Sequence, residues 1–214
     1  MDAIICFTRV PKPGQTKTRL MPCLTGEECA QLHWAFLQDL GKIYASLDAY
    51  LLVVYTSDPN WEMLKAVFPD AQFFPQEGMD LGEKMNNALN QALSIGYKKC
   101  ILTGSDLPLM TKAHLLSGLD ALEQADVTLG PTSDGGYYLV GVKEKSPFLF
   151  EKQTYGYGNV FENTLAAAKA AMKTCRPALP CDDVDTPDDL KGLMSKLNPD
   201  SHTAAYLRSL GAKL

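Results

Sequence analysis

A three-layer α/β/α fold on a mostly parallel sheet is the class this sequence predicts, and three observations predict it. Short apolar runs rich in Ile, Leu, Val and Tyr alternate with amphipathic stretches of helical length. Hydrophobic residues make up 46% of the chain, enough to bury a sizeable core. No Ser/Gly linker or charge block divides the 214 residues, so they form one domain, 1–214.

The elements follow in order. Residues 2–8 read as the first strand. Thr25-Gly26-Glu27-Glu28 is a capping box that opens a helix to about Leu47, with Leu32, Phe36, Leu40 and Ile43 on one apolar stripe. Residues 49–56 form a buried strand, 59–68 a short helix and 71–75 a short strand. Asp80 opens a helix to Ile95 that turns Leu81, Met85, Ala88, Leu89, Ala92 and Leu93 inward, and Gly96 ends it. Residues 98–104 are the next strand, and Thr111 begins a helix to Gln124. Strands at 126–130 and 137–142 flank a turn at 131–136; an alanine-rich helix spans 159–172. A strand at 175–179 and helices at 187–197 and 203–210 complete the chain, which has no internal repeat.

Composition narrows the function. A net charge of −5 argues against general nucleic-acid binding while leaving room for a local basic pocket. No run approaches the roughly 18 apolar residues of a membrane span, and no secretory pattern opens the chain, so a cytoplasmic location is expected. Cys6, Cys23, Cys29, Cys100, Cys175 and Cys181 contain no Cys-x-x-Cys pair and read as free thiols. His33 and His114 fall inside predicted helices and read as packing or surface residues; His202 has no metal spacing with them.

Four motifs carry the chemistry. Straight after the first strand comes Thr8-Arg9-Val10-Pro11-Lys12-Pro13-Gly14-Gln15-Thr16-Lys17-Thr18-Arg19-Leu20. It matches neither the P-loop, which needs a second glycine before its lysine, nor G-x-G-x-x-G. Lys12, Lys17 and Arg19, with Gly14 admitting the backbone, are therefore the candidate polyphosphate contacts, and Lys17 and Arg19 the candidates to stabilise a leaving pyrophosphate. A solvated loop is the bland alternative. Asp106 in Gly104-Ser105-Asp106-Leu107-Pro108 leaves a strand end suited to Mg²⁺ or Mn²⁺, although aspartate also serves in ordinary turns. In Asp182-Asp183-Val184-Asp185-Thr186-Pro187-Asp188-Asp189, helix capping accounts for Asp188 and Asp189. Asp183 and Asp185 remain, and either can complete a cation site with Asp106. Asp134-Gly135-Gly136-Tyr137 is at least a tight turn, and it suits close approach of an acceptor or sugar. Two weaker segments follow: 76–84, where Gly82 and Glu83 are candidate nucleotide contacts or part of an ordinary capped loop, and the aromatic loop Tyr155-Gly156-Tyr157-Gly158-Asn159, a candidate lid or a plain surface loop.

Together K-P-G-x-x-K-T-R-L (12–20), L-G-E-K-M (81–85), G-S-D-x-P (104–108), G-P-x-x-D-G-G-Y-Y-L (130–139) and D-V-D-T-P-x-D-L (183–190) resemble a family of bacterial glycosyltransferase-like proteins. That family has the GT-A, nucleotide-diphospho-sugar transferase fold, which is Rossmann-like. The segment near Tyr157 departs from that family's W-x-T pattern. The chain also resembles the phospholactate and molybdenum-cofactor guanylyltransferases, in its K-T-R-L and its D-x-P turn. The resemblance implies a metal-dependent transferase acting on a nucleotide-diphospho-sugar or NTP and a small-molecule acceptor. By carry-over from the nucleotidyltransferases, Asp106 and Asp185 hold Mg²⁺ or Mn²⁺, with Asp183 the alternate. The family name implies glycosyl transfer. A single aspartate at 106, where sugar transferases of this fold present D-x-D, implies nucleotidyl transfer. A nucleotide-binding module without turnover is the reading from another class.

Overall fold

The computed structural model describes residues 1–156 and 158–211. Tyr157, the centre of the expected aromatic lid, lies outside the described residues.

Seven strands form one sheet: β1 (Asp2–Thr8), β2 (Tyr50–Tyr55), β3 (Gln72–Pro75), β4 (Lys99–Thr103), β5 (Val127–Pro131), β6 (Tyr137–Val142) and β7 (Cys175–Pro177). Their order is β3-β2-β1-β4-β6-β5-β7, and β6 runs antiparallel to both its neighbours while the remaining pairings are parallel. The predicted mostly parallel α/β sheet is the one observed.

Strand alternation sets the register. Ile4 and Cys6 of β1 pack with Val53, Ile101 and Leu139 on one face, together with α1 (Gly26–Ala45) and α3 (Lys112–Gln124). Ala3 and Ile5 face the other way, beside Leu52, Val54, Leu102 and Val140, where α2 (Leu81–Ile95) and α4 (Val160–Ala170) cover the sheet. Each fully buried Leu or Ile contributes about 1.5–3 kcal/mol relative to exposure. A third apolar cluster joins the outer side of α1, through Leu32 and Phe36, to α6 (His202–Leu210) and the tail that carries Val184.

Capping follows the expected chemistry. Thr25 accepts from the Glu28 amide while Glu28 returns the bond to Thr25 N at 2.8 Å, and Asp80 caps α2 through the Glu83 amide at 2.8 Å. Residues 187–197, expected as one helix, are broken. A single turn, α5 (Pro187–Leu190), is followed by extended Lys191, by Gly192 at φ +73°, and then by a 3-10 turn. The left-handed glycine ends the helical path, which the Pro and Asp signals at its start had masked. Residues 59–68 also wind as a 3-10 turn (Trp61–Ala66) rather than an α-helix.

Strands β1 to β3 progress to one side of β1, and β4 lies on the other. The crevice outside the carboxyl ends of β1 and β4 is thus the topological switch point of the sheet, where ligands of open α/β folds bind. Both the basic loop and Asp106 emerge there. All six cysteines are free thiols, four of them buried. No helix among the described residues is long and apolar enough to cross a membrane.

Candidate active site

A cavity of about 530 Å³ opens at this crevice. Its floor is apolar, from Phe7, Leu102 and Val140, and its polar wall includes Arg9, Gln76, Lys84, Asp106, Asp134 and Asp183. An adjoining cavity of about 360 Å³ shares Asp134 and Asp183 and adds Arg19, Asp185 and Lys191. The two acidic motifs meet where the cavities join, and backbone holds them: Val184 N donates to Asp106 O at 2.9 Å.

Lys17 lines neither cavity and lies buried behind the carboxylates of both motifs. Its ammonium lies 2.6 Å from Asp106 Oδ1 and 3.6 Å from Asp185 Oδ1, and donates to Val184 O at 2.6 Å. The Phe36 ring, 5.0 Å away, closes the remaining side, and the lysine side chain is only 2% exposed. Its backbone, at φ 50°, takes a left-handed conformation that turns the side chain inward. His33, read from the sequence as a packing or surface residue, completes the cluster with Nδ1 3.2 Å from Asp106 Oδ1. Burial would raise the Asp106 carboxyl, but the Lys17 ammonium and His33 outweigh it and hold that carboxyl well below the usual carboxylate range. Its Oδ1 is buried against these partners, while the carboxylate as a whole stays 37% exposed and so presents its other edge to the cavity. Asp183 is the opposite case. Burial pushes it up to about 6, with Asp185, Asp134 and Asp106 repelling its charge.

The other expected site residues divide. Arg19, 68% exposed, reaches Asp185 Oδ2 at 3.4 Å on the wall of the second cavity. Asp134 lines both cavities, its Oδ1 accepting from Thr132 Oγ1 at 2.5 Å and Gly136 N at 3.0 Å. Tyr137 lines the main cavity; burial raises its hydroxyl, with the Tyr155 and Thr164 hydroxyls offsetting part of the effect. Lys12 pairs instead with Asp58 at 2.5 Å, and Gly14 is exposed on the loop. Gly82 is buried where a β-carbon would meet Phe150 O and the Tyr155 hydroxyl at 3.0 Å each, and the Glu83 carboxylate accepts from Met79 N at 2.8 Å. These four, together with Lys17 and Gly135, line neither cavity.

Gly135 is fixed by geometry. At φ +85° it lies so close to the loop before α4 that a β-carbon would stand 2.2 Å from Gly158 O, and its carbonyl accepts from Phe161 N at 3.0 Å. Gly135→Ala is expected to cost about 2 kcal/mol or more and to weaken ligand binding along Asp134–Tyr137, checked by thermal melts with and without nucleotide.

Sequence reasoning missed His33 and Arg9 as site residues, and within 76–84 it named Gly82 and Glu83 where the cavity wall takes Gln76 and Lys84. A signal for His33 existed: it interrupts the apolar stripe of Cys29, Leu32, Phe36 and Leu40, and a polar residue so placed needs a partner. No local signal names that partner.

The fold is shared with nucleotide-diphospho-sugar transferases and nucleotidyltransferases, and the protein is a transferase. It belongs to the family described as uncharacterized proteins conserved in bacteria (DUF2064), whose profile matches residues 39–157. It is 30% identical over 198 residues to the 2-phospho-L-lactate guanylyltransferase of Methanocaldococcus jannaschii, covering 91% of this chain and 84% of the relative. A solved structure from Desulfovibrio desulfuricans G20, provisionally described as a nucleotide-diphospho-sugar transferase, superposes with a TM-score of 0.92 at 33% identity. That match covers 99% of this chain and 96% of the other. A 4-diphosphocytidyl-2C-methyl-D-erythritol synthase shares the fold at TM-score 0.61 and 11% identity, over 92% of this chain and 98% of that one.

Proposed function

We propose that this protein is a cytoplasmic nucleotidyltransferase, which joins the nucleotidyl group of an NTP, GTP by analogy with its relatives, to the phosphate of a small acidic acceptor. The observation that carries the reading is the 30% identity, across 91% of the chain, to a guanylyltransferase. The lone strand-end aspartate of Gly104–Pro108 agrees with it.

The donor set suits a hard divalent cation. Asp106 and Asp185 offer partly exposed carboxylate oxygens, 37% and 35% exposed, and phosphate oxygens with water would supply the rest. Mg²⁺ or Mn²⁺ bound there would neutralise phosphate charge and favour departure of pyrophosphate. An acceptor phosphate oxygen attacks the α-phosphorus, and the bond from that phosphorus to the bridging oxygen breaks, its electron pair leaving with pyrophosphate. A phosphate dianion is already a nucleophile and asks no proton transfer of the protein. Arg9 and Lys84 in the cavity wall and Arg19 on the rim offset the accumulating charge. Asp134 with Gly135 and Gly136 forms the acceptor or ribose side.

The base falls to the far end of the cavity, beyond β1 and β2. There Gln76 Nε2 donates to Thr8 O at 2.9 Å and to Val54 O at 3.4 Å, so both amide hydrogens are committed to main chain. Its oxygen accepts from Thr56 Oγ1 at 3.3 Å and keeps a second lone pair to accept from an amino or ring N–H of the base. GTP is therefore expected to bind about tenfold more tightly than ITP, which lacks the exocyclic amine, and Gln76→Leu to erase that preference; competition binding measures both.

Glycosyl transfer is the second reading. The Desulfovibrio structure favours it, as does Asp183, whose carboxylate near 6 can take the proton of a hydroxyl acceptor. Calorimetric binding of GTP and of GDP-sugars with Mn²⁺ separates the two. Tighter binding of GTP supports the proposal; micromolar binding confined to one sugar nucleotide transfers the assignment to glycosyl transfer.

A further inference from the structure

The carboxylates assigned above to a divalent cation already hold a cation of the chain's own. Lys17 Nζ lies between Asp106 Oδ1 and Asp185 Oδ1, donates to Val184 O and rests on the Phe36 ring, with only 2% of its side chain exposed. Other charged or titratable groups around it include Arg19 on Asp185, Asp183 and Asp134 at the cavity junction, His33 on Asp106, and the Cys29 thiol on α1. His33 is 1% exposed, and neither ring nitrogen has a hydrogen bond of good geometry, so it is a buried polar group aimed at the same carboxylate oxygen. The protein's own donors are also few: among the described residues no group of three or more His, Cys, Asp or Glu side chains is arranged to hold a metal ion.

These two facts act in one direction. A free divalent ion approaching Asp106 and Asp185 would meet an ammonium already 2.6 Å from one carboxylate and 3.6 Å from the other, and would find only two carboxylates to replace its water. A nucleotide triphosphate removes both obstacles, because its oxygens complete the coordination shell and its charge gives the ammonium another partner. The left-handed backbone at Lys17 is rarely adopted by side-chain-bearing residues, so the inward lysine depends on these contacts and has a ready reason to leave when they are replaced. We propose that Lys17 is a resident counter-ion that closes the Asp106–Asp185 pair to free divalent metal, so that metal enters only as its nucleotide complex. The proposal rests on the metal-dependent reading of this site.

The test is Mn²⁺ binding followed by electron paramagnetic resonance, with wild-type protein, with and without the α,β-methylene analogue of GTP, and with Lys17→Met alone. Wild type is expected to bind Mn²⁺ at least about tenfold more tightly in the presence of the analogue than the analogue and protein do separately. Lys17→Met is expected to bind Mn²⁺ without nucleotide at least about tenfold more tightly than wild type. Wild type that takes up Mn²⁺ equally well with and without the analogue overturns the inference, whether or not the variant folds. So does a folded Lys17→Met that gains no affinity. If wild type then still shows analogue-dependent binding, the metal site stands and only the gating fails. No Mn²⁺ bound in any arm removes both.

Discussion

Asp106→Asn is expected to reduce transfer by about 10²–10³-fold, because it removes the cavity-lining carboxylate that pairs with the Lys17 ammonium and that we propose faces phosphate and cation. Stability should fall as well. Breaking a fully buried ion pair costs about 3–5 kcal/mol, and partial exposure of Asp106 lowers the expected loss to about 2–3 kcal/mol, or roughly 5–10 °C in melting temperature. That cost contrasts with a cation ligand that merely points into solvent, whose removal leaves the fold untouched. The sign of the pH dependence follows from the depressed carboxyl. Its contribution is fully present above the unfolded carboxylate range and is lost only as pH falls through the lower folded value. Wild type should therefore keep its advantage over Asp106→Asn at neutral pH and lose it in strong acid, which paired thermal melts will show.

Asp183→Asn should do the reverse and stabilise the metal-free protein. A carboxyl raised from 3.8 to about 6 binds its proton more tightly in the folded chain than in the unfolded one. Stability therefore falls as pH rises between those values, and the penalty is complete above about pH 7. The shift corresponds to about 3 kcal/mol at most, and solvent at the exposed edge brings the expected gain to about 1–2 kcal/mol. The gain should vanish below pH 4. Equal stability of variant and wild type at pH 8 would show that Asp183 is not strained by its neighbours. A residue held at such a cost is consistent with selection for chemistry over stability.

Much of the scaffold was legible because it is written locally. The Thr25–Glu28 capping box, the Asp80 cap with the Gly96 stop, and the alternation of Ile4, Ile5 and Cys6 each depend on neighbours a few residues away. The break at Gly192 was hidden because the start of that segment carries strong helix signals and the glycine only shows its φ in three dimensions. The site was legible as a set of segments and not as a geometry. Lys17 and Val184 are 167 positions apart, and no spacing rule says that a lysine from a basic loop will bury itself on the acidic tail. His33 interrupts an apolar stripe and so asks for a partner, but only the folded chain places Asp106 against it. Lys12, equally basic in sequence, lands on Asp58 because the loop returns towards the edge beyond β2.

We propose that nucleotidyl transfer takes place beside Asp106, Lys17 and Asp185. Its most direct test is incubation with α-phosphate-labelled GTP, Mg²⁺ and a panel of small phosphorylated acids, followed by chromatography of the label and assay of pyrophosphate. Label carried into an acceptor-linked product, with one pyrophosphate released per product and both lost in Asp106→Asn, is the predicted result. A panel that leaves GTP intact, while a GDP-sugar loses its glycosyl group to an acceptor under the same conditions, would contradict it.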